Sequence, residues 1–177
     1  MAKARVMRRN QAGEMEEINI KPELLTEQMT ALIGTESEPQ VMEVERGMIK
    51  RFAQATDDPN PLYNDLEYAR QSKYGELICP PCFFGWPVKA PDPNKPEFGG
   101  QVLKAAGLPN IIDIGIDLEP FLPVRAGDRL FAIRRLSDMW EEVGRSGNHF
   151  ILMTIEVTYT NQNGDVVAKA LHRDLAR

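Results

Sequence analysis

Histidine and cysteine are nearly missing from this chain, with two of each among 177 residues. That scarcity leaves at most one set of four zinc ligands, two thiolates and two imidazoles, so a structural zinc would need all four residues together. Cys79 and Cys82 stand in Cys-Pro-Pro-Cys, a spacing that serves thiol redox chemistry or half of a metal site. A redox pair sits where a strand feeds a helix. Here a Lys-Tyr-Gly-Glu turn precedes the pair and Phe83-Phe84-Gly85-Trp86-Pro87 follows it. His149 and His172 add no ligand at a zinc spacing. Both thiols are therefore expected to be small buried apolar side chains, and neither metal nor cofactor is expected.

Long apolar runs are lacking too. No window approaches the ~18 to 20 residues that span a bilayer. The basic start at Lys3, Arg5, Arg8 and Arg9 is not followed by the apolar stretch of a signal peptide. Residues 1–20 are expected to be a loosely held arm, and the protein cytoplasmic. An excess of positive charge is missing as well. Lys and Arg number 21 against 26 Asp and Glu, for a formal net charge of -5, which argues against a broad nucleic-acid footprint. What is present is enough apolar content, 42%, to bury one core, so residues 21–177 are expected to form a single domain.

The pattern of that content changes along the chain. Leu25, Met29, Leu32 and Ile33 recur at helical spacing over 22–33, with Pro22 suited to the first turn and Gly34 to the C-cap. Residues 41–44 read as a brief strand. Met48, Ile49, Phe52 and Ala53 then mark one side of a helix over 46–56. Asn64 or Asp65 can cap a short helix that runs through Arg70. The segment 87–100 holds four prolines and two glycines, too many for a helix or a central strand, and is a candidate lid. From Ile111 the period is two. Segments 112–119, 129–137, 150–159 and 166–175 are rich in Ile, Val, Leu, Phe and Thr and are separated by turn residues. They are expected to form an antiparallel meander whose last hairpin turns at Asn161-Gln162-Asn163-Gly164-Asp165. Helices first and a sheet afterwards make the fold class α+β.

Between the second and third helical stretches lies the loop Thr56-Asp57-Asp58-Pro59-Asn60-Pro61-Leu62-Tyr63, a carboxylate and an amide set in a Pro-bracketed turn. With the preceding Phe52-Ala53-Gln54-Ala55 it resembles the hydratase 2 signature of the MaoC-like (R)-specific enoyl-CoA hydratases and dehydratases, whose loop reads Gly-Asp-x-Asn-Pro-aliphatic-His. Three further runs agree in order: Tyr-Gly-Glu-Leu-Ile-Cys-Pro-Pro-Cys-Phe, Val-Arg-Ala-Gly-Asp-Arg-Leu and Thr-Tyr-Thr-Asn-Gln-Asn-Gly-Asp-Val-Val-Ala. The N-terminal type of MaoC-like dehydratase domain, similar to the dehydratase regions of type I fatty acid synthases, is the subgroup these runs resemble. The resemblance implies a hot dog fold, an antiparallel sheet wrapped round a central helix. It implies an acyl thioester of coenzyme A or a carrier protein as substrate. It also implies a homodimer, or a heteromer with a second MaoC-like subunit.

Hydration of a 2-enoyl thioester needs a base for the attacking water, an acid for C2 and donors for the thioester oxygen. Asp58 is the candidate base, its pKa expected to be raised by shielding. Asn60 is a candidate to orient the water or brace Asp58. Backbone N–H groups of Cys82, Phe83 and Phe84, at the expected start of the central helix, are the candidate oxyanion donors, and Phe83, Phe84 and Trp86 the acyl contacts. Tyr63 stands where the family carries its histidine, and Asp57 where it carries glycine. Two explanations compete. Either this chain works alone, with Tyr63 or a residue such as His149 as the acid, or it shapes the acyl pocket beside a partner that holds the intact pair.

Plainer readings stand beside each of these. Asp58 can simply cap the turn. Tyr63 can be a core aromatic, and Phe83, Phe84 and Trp86 can be core. His149 opens a strand and is expected to face solvent at an edge. A non-catalytic acyl-binding subunit is the alternative function, and a thioesterase on the same fold a weaker one.

Overall fold

A computed structural model describes residues 4–87, 103–104 and 106–177. Its centre is three long consecutive strands, β6 (Arg129–Val143), β7 (His149–Thr160) and β8 (Val166–Ala176). Each pairs antiparallel with the next. The β7–β8 turn works as the sequence predicts. Gly164 takes φ +86°, and the Asn161 side chain accepts the amides of Asn163 and Asp165 at 2.9 and 3.0 Å.

The fourth predicted strand departs from a meander. β5 (Ile111–Pro120) pairs with β8 rather than with β6. The chain from 121 to 128 must therefore cross the end of the sheet to reach β6. Phe121 and Leu122 start that crossing with amides donated to Val167 O at 2.9 and 3.2 Å. β5 is left as an outer strand with Ile111, Ile112, Ile114 and Ile116 exposed.

The far side of β6 is covered in pieces. β3 (Gln40–Glu43) pairs antiparallel with its first residues, and β4 (Trp86–Pro87) pairs with β3. At the other end β1 (Val6–Arg9) pairs in parallel with residues 141–143, and β2 (Met15–Glu17) folds back on β1. This overturns the expectation of a loosely held arm for that stretch. Val6 is buried, and Arg5 holds the Asp138 carboxylate, anchors that a count of basic residues does not reveal.

The first helix is also shorter than its periodicity suggests. α1 (Glu27–Thr30) is a single turn capped by Thr26. The amides of Glu23, Leu24 and Leu25 donate instead to the buried Glu141 carboxylate on β6, at 3.0, 2.8 and 2.8 Å. Leu25 and Met29 still reach the core, where they meet Leu103, Leu136 and Ile151. α2 (Arg46–Ala55) forms as expected and buries Ile49 and Ala53. α3 (Pro61–Asn64) and α4 (Leu66–Gln71) follow. Asp65 caps α4 through the amides of Glu67 and Tyr68.

The expected start of a central helix at Cys82 is not found. Cys82 and Gly85 take φ +68° and +81°, and the chain turns directly into β4. The candidate lid at 87–100 lies, beyond Pro87, outside the described residues. Among those residues no helix is long and apolar enough to cross a membrane.

Candidate active site

The end of α2 sets the loop geometry. Asp57 N–H donates to Gln54 O at 3.2 Å and Asp58 N–H to Ala53 O at 2.8 Å, the paired bonds of a Schellman cap. Such a cap needs a left-handed residue after the C-cap, and Asp57 supplies it at φ +52°. This accounts for the departure at that position. Aspartate enters the left-handed region at lower cost than most residues and stands in for the glycine of the signature.

The next residues lock one another. Asp58 Oδ1 accepts the Asn60 amide at 3.0 Å. Asn60 Oδ1 accepts the Leu62 amide at 3.0 Å and so caps α3, with Pro61 in the first turn. Asn64 Nδ2 donates to the carbonyls of Asp58 and Asn60 at 2.9 and 3.0 Å. Asp58 and Asn60 are half-buried and Tyr63 is buried. Tyr63 is thus a core aromatic, packed in one cluster with Ile49, Ala53, Phe83 and Leu130.

Burial raises the Tyr63 phenol above its usual pKa, and the nearby Asp58 carboxylate raises it further. The facing Asn60 amide pulls only weakly the other way. A phenol so placed keeps its proton around neutrality and acts as a hydrogen-bond donor.

Tyr63 lines a cavity of about 580 Å³, within the usual range for small-molecule sites. Ile78, Cys79, Phe83 and Phe84 form one wall, and Leu118 with the crossing segment 120–125 forms the other. Phe83 stacks on Phe52 at 4.9 Å and Phe84 on Tyr159 at 4.4 Å between ring centroids. Both rings therefore belong to the core and face the cavity at once.

Several of the expected site residues lie elsewhere. Neither Asp58 nor Asn60 is among the residues lining the cavity; both lie close enough to Tyr63, which lines it, to shift its phenol. Cys82 is exposed and does not line it, while Cys79 is half-buried and does. Burial, with Asp128 nearby, pushes the Cys79 thiol up to about 12, so it is unreactive. The Phe83 amide donates within its own turn, to Pro80 O at 3.2 Å, and no helix start presents it to a thioester oxygen. The backbone of Trp86 lies in β4 opposite Glu43, and its side chain, the remaining candidate acyl contact, lies outside what is described.

His149 is not solvent-facing, and it is not near the loop. Its Nδ1 meets Glu141 at 2.5 Å and its side chain is 13% exposed. It opens β7 ten residues before Tyr159, roughly 33 Å along the strand at the usual rise. It therefore cannot serve as the acid. Lys73, Tyr74 and Arg125, none of them an expected site residue, also line the cavity. The Val-Arg-Ala-Gly-Asp-Arg-Leu run already marks the turn that carries Arg125.

Comparison with known proteins agrees with this architecture. A UPF0336 protein of Streptomyces avermitilis is 32% identical over 76% of this chain and 85% of its own length. Among solved structures, the ChsH1-ChsH2 complex from Mycobacterium tuberculosis superposes with a TM-score of 0.68 at 18% identity, over 84% of this chain and 90% of that one. HadBC, a (3R)-hydroxyacyl-ACP dehydratase complex from the same organism, gives 0.59 at 20% identity, over 81% and 96%. These likenesses establish the hot dog fold. The profile of the family described as "FAS1-like, dehydratase domain region" matches residues 31–170, most of the chain and the whole of the loop and cavity. This protein belongs to the FAS1-like dehydratase-region family of MaoC-like hot dog proteins.

Proposed function

We propose that this chain works in the reversible hydration of 2-enoyl thioesters as one subunit of a hot dog pair. The observation that carries the reading is the placement of a proton-holding Tyr63 at an apolar cavity, with Asp58 and Asn60 beside it. In hydration a base takes one proton of water as its oxygen bonds to C3. The C2–C3 π electrons move toward the thioester carbonyl, and C2 then receives a proton. Asp58 fits the base and Asn60 the water-orienting group. Tyr63 fits a donor that holds an oxygen, but a phenol with a raised pKa does not relay the proton to C2. That missing relay favours a partner carrying the intact Asp and His. The β5 edge suits its docking. Ile111, Ile112, Ile114 and Ile116 are exposed there, and Phe121 and Leu122 continue the patch to the cavity wall.

A second reading has its own support. Asp58 Oδ1 is engaged by the Asn60 amide, as in an ordinary turn, which fits a non-catalytic subunit that shapes the acyl pocket. One experiment separates the two. The chain is mixed with a short MaoC-like protein bearing Gly-Asp-x-Asn-Pro-x-His, and loss of a 2-enoyl-CoA is followed for each protein alone and for the mixture. Activity that this chain enhances, and that Asp58→Asn lowers by about a hundredfold, supports the catalytic reading. Enhancement indifferent to Asp58→Asn supports the pocket-shaping one. No enhancement and no thioester binding overturns both.

A further inference from the structure

Among the described residues, Lys73 and Arg125 are the cationic side chains lining the cavity, and the hydration chemistry above uses neither. Both are exposed, and both are tied to Tyr74. Lys73 Nζ lies 5.1 Å from the Tyr74 ring centroid, and Arg125 Nε donates to the Tyr74 carbonyl at 3.0 Å. The Arg125 backbone is fixed as well, by a bridge to Ile78 and by its amide donating to Asp128 Oδ2 at 2.8 Å. With Nε committed, the two Nη groups are the donors left for a ligand.

The carboxylates of Glu76, Glu67 and Asp128 are committed elsewhere. Glu76 binds Arg46 in two-pronged fashion, at 3.1 and 2.5 Å, and also accepts the Leu77 amide. Glu67 pairs with Arg70, and Asp128 accepts from Gln162 in addition to the Arg125 amide. Among the described residues neither Lys73 nor Arg125 is ion-paired. In a chain of net charge -5, this cavity thus has apolar walls and a positive edge. A ligand with an apolar end and an anionic end matches both.

We infer that Lys73 and Arg125 form an anion subsite that holds a phosphate on the pantetheine arm of the thioester while the acyl end lies against Phe83, Phe84 and Tyr63. The inference rests on the acyl-thioester reading and extends it to recognition of the carrier. A planar guanidinium matches phosphate oxygens two at a time, and an ammonium adds a point charge beside it. Coenzyme A and the prosthetic arm of a carrier protein share this first phosphate.

Titration calorimetry on the full chain tests the subsite without needing turnover. Three probes with one acyl group are compared: 2-octenoyl-pantetheine, which carries no phosphate, 2-octenoyl-phosphopantetheine, and 2-octenoyl-CoA. The phosphorylated probes are expected to bind about tenfold more tightly than the neutral one at low salt, an advantage that shrinks as ionic strength rises. Lys73→Gln and Arg125→Gln are each expected to remove about threefold to fivefold of it, with Arg125→Lys retaining most. Neutral-probe affinity should stay unchanged in all three variants, which also reports that they remain folded. Equal affinity for phosphopantetheine and CoA assigns a carrier-protein arm, and a further gain with CoA assigns the nucleotide form. Equal binding of neutral and phosphorylated probes overturns the subsite and leaves the thioester reading standing. A phosphate preference that survives both Gln variants overturns the residue assignment. Binding of none of the probes, by the chain alone and by its mixture with the short MaoC-like protein, overturns the subsite together with the thioester reading.

Discussion

Asp58, in the loop after α2, and Glu141, on β6, are two carboxylates that the fold treats differently. Glu141 has no exposed surface. It accepts three consecutive backbone amides and meets His149 Nδ1. Burial works against its charge, but His149 and the amides outweigh burial and hold its pKa below the ordinary carboxylate value. Asp58 is half-buried, with one oxygen on the Asn60 amide, beside a phenol that opens on a cavity. A carboxylate surrounded by donors on every side has nothing left to offer a substrate and serves as a staple, here between β6 and the segment leading into α1. A carboxylate with one committed oxygen and a cavity close by retains capacity for chemistry.

The largest expected effect tests the staple. Glu141→Gln keeps the shape but sets an NH2 group among three amide donors, and should cost on the order of 3 kcal/mol in denaturant unfolding. A loss below about 1 kcal/mol would break the contrast with Asp58. Next comes Gly85→Ala, at the turn behind the cavity. A Cβ there would sit 2.4 Å from the Glu43 carbonyl oxygen on a backbone of φ +81°. A loss of about 2 kcal/mol is expected, together with weaker thioester binding as Phe83 and Phe84 shift.

Acid titration sharpens the comparison through its sign. Because the folded pKa of Glu141 is depressed, its contribution is complete above the unfolded glutamate value of about 4.3. It is lost as pH falls through the lower folded value. The gap between wild type and Glu141→Gln should therefore narrow on acidification below about pH 4. A gap that stays constant there would deny Glu141 its depressed pKa.

Asp58→Asn is expected to change stability by less than about 1 kcal/mol, since the asparagine oxygen still accepts the Asn60 amide. A loss matching that of Glu141→Gln would make Asp58 structural too. The smallest effect is a gain. Asp57→Gly relieves the left-handed strain at φ +52° and should stabilise by about 0.5 kcal/mol, measured as a small rise in Tm.

Features held within a few residues were legible in the sequence. α2 with its buried Ile49 and Ala53, the Asp65 cap, the Asn161–Asp165 turn and the four long strands all follow from spacing and turn chemistry. The loop carrying Asp58, Asn60 and Tyr63 was readable for the same reason, because its bonds run between residues at most six apart. Contacts between distant residues were not. The pairing of Val6 with Glu141, the three backbone amides gathered on Glu141, and the β5–β8 pairing join positions tens of residues or more apart. Nothing in the local pattern marks them.

The cavity shows the same division. By itself the sequence determined a tight Pro-bracketed turn after an amphipathic helix, because cap and turn bonds close over short loops at little entropic cost. Only the tertiary structure decided that Tyr63, just after this turn, lines a cavity walled by the segment 120–125, and that His149 is locked away beside Glu141 at the far end of β7. Those outcomes depend on which strand lies beside which, and that is settled by burying all the apolar faces together while leaving no buried charge unpaired.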